Sequence, residues 1–141
     1  LIAGDGSVRE RLEERIDACG LRPPVSLLGR VSGDQLVDLY AGARGVLFAP
    51  YDEDYGYVTL EAFLAHKPVI TASDSGGTLE FVDDGINGLV VDASAEALAA
   101  AINRLAHDAP LAARLGDAGY ERARTVTWDG VVERLVGAAG S

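Results

Sequence analysis

Hydrophobic residues along the chain alternate between short continuous runs and stretches with helical spacing. The short runs are bounded by glycine or proline and predict buried strands at 1–3, 25–28, 45–49, 68–72 and 88–91. Between them, apolar residues recur every three or four positions, which is typical of amphipathic helices. We predict such helices at about 7–19, 32–40, 57–65 and 78–82. Ser32 to Gln35 fits a capping box at the start of the second helix, and Tyr40 lies on its apolar face. Alternating strands and helices indicate a parallel sheet with helices on both faces.

After residue 91 the pattern is helical only. Leu98, Ile102 and Leu105 mark one predicted helix, which we expect Pro110 to end, and Leu111 with Leu115 marks a second. A third helix is predicted over 126–136, with Trp128 as its large apolar anchor. The length of 141 residues and the absence of a linker or repeat predict one α/β domain, 1–141, with an all-helical C-terminal extension.

Charge and cysteine usage exclude several classes of function. The formal net charge is −10, so the surface lacks the clustered cations that nucleic acids or anionic membranes require. No apolar run reaches the length of a membrane span. Cys19 is alone, and His66 and His107 lack paired metal-ligand spacing, so we expect neither a disulfide nor a zinc site. These features favour a cytoplasmic protein.

Two glutamates carry the clearest chemical signal. Glu53 follows a predicted strand and Glu61 lies inside the next helix, with seven residues between them. The start of that helix, near Gly56, exposes backbone N–H groups whose dipoles favour an anion such as a diphosphate. A carboxylate one turn into the helix can accept two hydrogen bonds from a ribose diol, as in dinucleotide-binding folds.

Several segments around these glutamates resemble one family when taken together. The pattern Glu-x7-Glu is followed by Lys67-Pro68-Val69-Ile70, then by a Gly76-Gly77 loop, and then by Asp84-Gly85-Ile86-Asn87-Gly88. In order and spacing, roughly residues 1–136 resemble the retaining glycosyltransferases of group 1, or family 4 type. The resemblance implies a Rossmann-like domain, the C-terminal, donor-binding half of a GT-B fold.

The resemblance also implies roles for individual residues. The donor would be a nucleoside-diphosphate sugar, the reaction a hexosyl transfer, and no cofactor or metal would be needed. Glu53 is the implied catalytic residue, in contact with the transferred sugar, and Glu61 binds the ribose hydroxyls. The remaining implied site residues serve the diphosphate (Gly56, Tyr57, Val58), the base (Gly29, Arg30, Val31) and the far wall of the cleft (Ser75, Gly76, Gly77).

Some features of the family are absent from this sequence. Its members place a phosphate-binding Arg and Lys pair, and a whole acceptor-binding domain, before the point that corresponds to Leu1. We therefore expect the chain to be a piece of a two-domain enzyme whose missing N-terminal half binds the acceptor and makes any membrane contact. We expect the last helix either to pack on its own domain or to pair with a second copy of the chain.

Alternative interpretations remain for the motifs. The chain is alternatively an isolated nucleotide-binding module without activity, or a GT-B relative such as an epimerase or a phosphorylase. A phosphorylase needs a cofactor-bearing lysine, and Lys67 is the only lysine. Gly4-x-Gly6 lacks the third glycine of a dinucleotide fingerprint, because position 9 is Arg9. Ser75 lacks the glycine two residues earlier that a nucleophile elbow requires.

Overall fold

The computed structural model describes residues 1–138 and divides them into two compact units, one ending at Leu39 and one beginning at Tyr40. The helices and strands, in chain order, are β1 (Ile2–Ala3), α1 (Arg9–Ala18), β2 (Leu27–Gly29), α2 (Gly33–Gly42), β3 (Val46–Leu47), α3 (Tyr57–Leu64), β4 (Val69–Ala72), a 3-10 helix (Gly76–Glu80), β5 (Gly88–Val91), α4 (Ala95–His107), α5 (Ala109–Ala123) and α6 (Trp128–Ala138).

The first unit contains a parallel pair, β1 with β2, and helix α1. The capping box at the start of α2 forms as predicted: the Gln35 side chain accepts from the Ser32 N–H at 2.8 Å, and the Ser32 hydroxyl accepts from the Gln35 N–H at 3.3 Å. The prediction that residues 1–3 form a buried strand is wrong about burial, since Leu1 is 78% exposed. In the described chain β1 pairs with β2 alone.

The second unit is built on a three-stranded parallel sheet in the order β3-β4-β5. All four residues of the central strand β4, Val-Ile-Thr-Ala, are buried, as expected for a parallel strand rich in β-branched residues. The bounds of β5 match the predicted strand, 88–91. The predicted α/β class with parallel strand pairing is confirmed.

The core of the second unit lies between this sheet and the two helices that follow it. Ile70 and Leu89 from the sheet pack with Leu105 of α4 and Leu115 of α5. Ser94 caps α4 by accepting from the Ala97 N–H at 3.2 Å. The core fixes β4 and β5, and it thereby positions the loops that follow the strands of the sheet.

Helix α5 also packs closely on α3, the helix that carries Glu61. Gly119 has no room for a side chain, because a Cβ there would lie 2.4 Å from Cδ1 of the fully buried Phe63. A Cβ at Gly116 would lie 2.1 Å from the carbonyl oxygen of His66, just beyond the end of α3. Glycine at both positions therefore lets α5 support α3 at short range.

Two predictions about the helices change in the structure. The helix predicted at 78–82 is a 3-10 helix that begins earlier, at Gly76. Pro110 does not end α4; it lies in the first turn of α5, where its missing N–H costs no hydrogen bond. The third C-terminal helix is present as α6, and the side chain of Trp128 lies outside the described residues. Within residues 1–138 no helix combines the length and apolarity of a membrane span.

Candidate functional site

Glu53 is half-buried in the loop that follows β3, and that loop is hydrogen-bonded to the loop that follows β4. The Gly77 N–H donates to the carbonyl oxygen of Glu53 at 2.6 Å, and the Asp52 N–H donates to that of Asp74 at 3.0 Å. Because β3 and β4 are parallel neighbours, their carboxyl ends lie at one edge of the sheet. Ligands bind beyond that edge in open α/β sheets. We call residues 50–56 and 73–77 the strand-end loops.

The small residues of the second strand-end loop serve the contact between the loops. A Cβ at Gly76 would lie 2.6 Å from the carbonyl oxygen of Glu53, and one at Gly77 would lie 2.3 Å from that of Asp54. Ser75 is fully buried, and its hydroxyl accepts from the Ala72 N–H at 3.2 Å. The predicted role of Ser75, Gly76 and Gly77 in lining a cleft stays a prediction; what the structure explains is their small size.

Gly56 immediately precedes α3 in a left-handed conformation, with φ 70° and ψ 49°. A Cβ at this position would lie 2.7 Å from the hydroxyl oxygen of Thr78. The packing of the 3-10 helix and the positive φ therefore both require glycine here, whether or not a ligand approaches.

The N-terminus of α3 is open at its first turn. No side chain caps it, since Gly56 is its N-cap residue. The backbone N–H groups of Tyr57 and Val58 stand in the first turn, where an α-helix offers no partner of its own. Tyr57 is exposed and Val58 is half-buried. The structure thus places the predicted diphosphate donors next to the Glu53 loop, where the helix dipole favours negative charge.

Glu61 lies on α3 and is exposed, but one of its oxygens is engaged. The Tyr40 hydroxyl donates to Oε2 of Glu61 at 2.9 Å, while the Tyr40 ring is buried. Burial, together with the hydrogen bond to Glu61 and its negative charge, raises the pKa of Tyr40 well above its ordinary value. The sequence predicts Tyr40 as a residue of an apolar helix face. Nothing local in the sequence identifies its partner, which is 21 residues away.

The tyrosines near the site divide between packing and exposure. The Tyr55 ring lies 5.2 Å from that of buried Phe81, edge-on, and 4.6 Å from the ring of Tyr57. Tyr51 is 83% exposed. Tyr55 therefore packs on Phe81 on one side and is still 37% exposed, while the rings of Tyr51 and Tyr57 are more accessible.

The predicted base-binding residues belong to the first unit. Gly29 ends β2 with φ 70°, and a Cβ there would lie 3.3 Å from Nη1 of Arg9. Arg30 and Val31 line a shallow cavity of about 360 Å³. The other residues of this cavity are Leu28, Gln35, Asp38 and Leu39. Glu53, Glu61 and the remaining predicted site residues belong to the second unit.

His66 lies directly after the end of α3 and is engaged with α5. Its Nδ1 is 2.8 Å from Oδ1 of Asp117, and its ring stacks on Tyr120 at 4.1 Å between centroids. These contacts give His66 a packing role beside the C-terminus of α3. Within the part of the chain that is described, no group of three or more His, Cys, Asp or Glu is arranged to hold a metal ion.

Parallel strands, a carboxylate-bearing loop and an open helix N-terminus form the arrangement that open α/β folds place at the edge where ligands bind. The family model described as "Glycosyl transferases group 1" matches residues 1–122. The chain therefore belongs to the group 1 glycosyl transferases. The D-inositol 3-phosphate glycosyltransferase of Salinispora tropica is 35% identical over 139 residues, which are 96% of this chain and 29% of that protein.

Solved structures agree with this assignment. Sucrose-phosphate synthase from Thermosynechococcus elongatus superposes with a TM-score of 0.81 and 31% identity, over 95% of this chain and 35% of that chain. Anabaena HepE in complex with UDP and glucose superposes with a TM-score of 0.78 and 26% identity, over 97% of this chain and 38% of that chain. The resemblance to the C-terminal half of GT-B glycosyltransferases is confirmed. The chain spans less than a third of the length of the curated relatives it matches, 28%, 31% and 29% for three of them.

Proposed function

We propose that the chain is the donor-binding half of a retaining glycosyltransferase that moves a hexosyl group from a nucleoside-diphosphate sugar to an acceptor held by another domain. The observation that carries the proposal is the placement of Glu53 and Glu61 on either side of an uncapped helix N-terminus. Glu61 is four residues beyond Tyr57, the first residue of α3, and hence about 6 Å further along the helix axis. This spacing suits a diphosphate at the helix start and a ribose one turn along.

Each part of the donor meets a group of matching chemistry. The N–H groups of Tyr57 and Val58 donate to the diphosphate, and the dipole of α3 stabilises the negative charge that develops as it leaves. Glu61 accepts from the ribose hydroxyls. Glu53, in the strand-end loop that precedes the helix, contacts the hexosyl group near the reacting carbon. The retained configuration is supported by the resemblance of the Glu-x7-Glu pattern to retaining enzymes.

The donor class is supported by a relative of similar fold. HepE, whose matching portion is 26% identical, is solved with UDP and glucose. We propose that this chain takes a nucleoside-diphosphate sugar in the same way, in the cytoplasm and without a metal. Nucleotide affinity should then be unchanged by EDTA. A fall in affinity on chelation that is restored by Mg²⁺ would contradict the metal-free part of the proposal.

A second candidate function is binding without catalysis. It needs only the nucleotide contacts of α3, which are the N–H groups of the uncapped first turn and the Glu61 carboxylate. As an isolated module, the chain binds the nucleotide and depends on another domain for turnover. The two candidates share the binding step and differ in whether hydrolysis or transfer of the sugar can be detected.

Calorimetric titration with UDP, GDP and ADP tests the binding step that both candidates share. We expect one of the three to bind, and Glu61→Gln to weaken it by about tenfold or more, because hydrogen bonds to a charged group contribute about 1.5–3 kcal/mol. Glu96→Gln, at an exposed position of α4, is the matched control and should leave affinity unchanged. Equal affinity of Glu61→Gln and the wild type would remove Glu61 from the site.

A further inference from the structure

The hydrogen bond between Tyr40 and Glu61 joins a buried group to an exposed one. Tyr40 is 8% exposed, and its hydroxyl donates to Oε2 of Glu61 at 2.9 Å. Among residues 1–138, Tyr40 is the only side chain that hydrogen-bonds to Glu61. An exposed glutamate on a helix normally samples several rotamers, and holding it in one conformation has an entropic cost. The hydroxyl of a ring fixed by packing provides such a constraint before any ligand arrives.

The geometry leaves the rest of the carboxylate free. A carboxylate has two oxygens and about four acceptor positions. Tyr40 occupies one position on Oε2, so Oε1 and a second position on Oε2 can still accept hydrogen bonds. Two acceptor positions at fixed places are what a vicinal diol needs.

We propose that Tyr40 is a positioning residue that fixes the rotamer of Glu61 so that its free oxygen meets the ribose diol of the donor nucleotide. This inference rests on the proposed function. Tyr40 acts through Glu61, because its own ring is buried. Because the Glu61 side chain is already fixed in the free protein, less side-chain entropy is lost when the ribose binds. Preorganisation of this kind increases affinity.

The hydrogen bond persists over the pH range of a binding assay. Burial, with the hydrogen bond to Glu61 and its charge in addition, raises the pKa of the Tyr40 hydroxyl. The hydroxyl therefore keeps its proton and remains a donor at neutral and moderately alkaline pH.

A ribose-dependent binding assay separates positioning from packing. Tyr40→Phe keeps the buried ring and removes only the donor. UDP, GDP and ADP, each with its 2′,3′-dideoxy counterpart, are titrated into wild type and variant by calorimetry. We expect Tyr40→Phe to weaken the ribose form of the preferred nucleotide roughly three- to thirtyfold and to change the dideoxy form less than about twofold. Tyr120→Phe, on α5, is the control and should change neither.

A second measurement does not need a ligand. The three-bond NMR couplings of the Glu61 side chain report its rotamer in the free protein. We expect values of a single rotamer in wild type and in Tyr120→Phe, and averaged values in Tyr40→Phe. If wild type binds none of the nucleotides, the proposed function fails, and these couplings alone decide whether Tyr40 holds Glu61.

Four outcomes overturn the inference. If Tyr40→Phe weakens binding of the ribose and dideoxy nucleotides equally, Tyr40 has a packing role only. If the affinity for both is unchanged, Tyr40 has no role in binding. Couplings that are already averaged in wild type, or that do not change in Tyr40→Phe, show that the hydroxyl does not fix Glu61. Denaturant unfolding of each variant verifies that both fold to the wild-type extent under the assay conditions.

Discussion

The Gly77 N–H donates to the carbonyl oxygen of Glu53 at 2.6 Å, which ties the Glu53 loop to the neighbouring loop of the sheet. The contact is a backbone one, so it fixes the path of the chain at Glu53 regardless of its side chain. It is possible because Gly76 and Gly77 have no Cβ atoms to hold the loops apart. The two strand-end loops should therefore respond together to substitution.

The first prediction concerns Gly76→Ala, matched with Gly85→Ala. Both glycines have positive φ, 60° and 70°, so both variants carry a similar backbone strain. A Cβ at Gly85 meets no described atom within 4 Å, whereas one at Gly76 would lie 2.6 Å from the Glu53 carbonyl oxygen. We expect Gly76→Ala to lower the free energy of unfolding by about 1–3 kcal/mol more than Gly85→Ala, because overpacking adds to strain.

Urea unfolding measures that difference in stability. Nucleotide titration of the same variants shows whether the substitution also changes nucleotide affinity. Gly76→Ala should weaken nucleotide binding by displacing the Glu53 loop, which leads into the N-terminus of α3, and Gly85→Ala should not. Equal stabilities for the two variants would indicate that the strand-end loops separate at no cost.

The second prediction concerns the support of α3 by α5. Gly119→Ala introduces a Cβ that would lie 2.4 Å from the ring of Phe63, so we expect a loss of about 1–3 kcal/mol in unfolding free energy. Gly137→Ala, in α6, meets no described atom within 4 Å and should raise stability by up to about 1 kcal/mol, because alanine favours helix. Thermal or urea unfolding of both variants tests the opposite signs. A stabilising Gly119→Ala would mean that α3 and α5 can move apart freely.

Features set by neighbouring residues could be predicted from the sequence. The strand at 88–91, the helix from Tyr57 and the reciprocal bonds of Ser32 with Gln35 depend on local periodicity and capping. The placement of Glu53 in a loop and Glu61 in a helix follows from the same local pattern. These predictions are confirmed because the residues that determine each element lie within it or directly beside it.

Features set by residues distant in sequence could not be predicted. Gly56 is glycine because Thr78 occupies its Cβ position, and Gly76 is glycine because of the Glu53 backbone. A sequence shows that a glycine is present but not which neighbour excludes a side chain. Tyr40 looked like a core residue, and its ring is one, but the partner of its hydroxyl is defined only when α2 and α3 fold together.

The last prediction is a dependence of stability on alkaline pH that Tyr40 controls. Burial raises the pKa of Tyr40 in the folded state, while the unfolded state keeps a value of about 10. Above about pH 10 the unfolded chain loses this proton and the folded chain keeps it, so the folded state binds more protons there. Stability is then fully present below about pH 10 and falls as pH rises, by up to about 1.4 kcal/mol per pH unit from this group.

Urea unfolding at a series of pH values between about 9 and 11, around the unfolded tyrosine pKa, measures that fall. We expect the decline to be shallower in Tyr40→Phe, which has no proton to lose, and unchanged in Tyr120→Phe. The difference between the two variants isolates the Tyr40 hydroxyl from all other groups that titrate in this range. Parallel declines in wild type and Tyr40→Phe would show that the hydroxyl ionises as easily in the folded state as in the unfolded one, and would contradict the prediction.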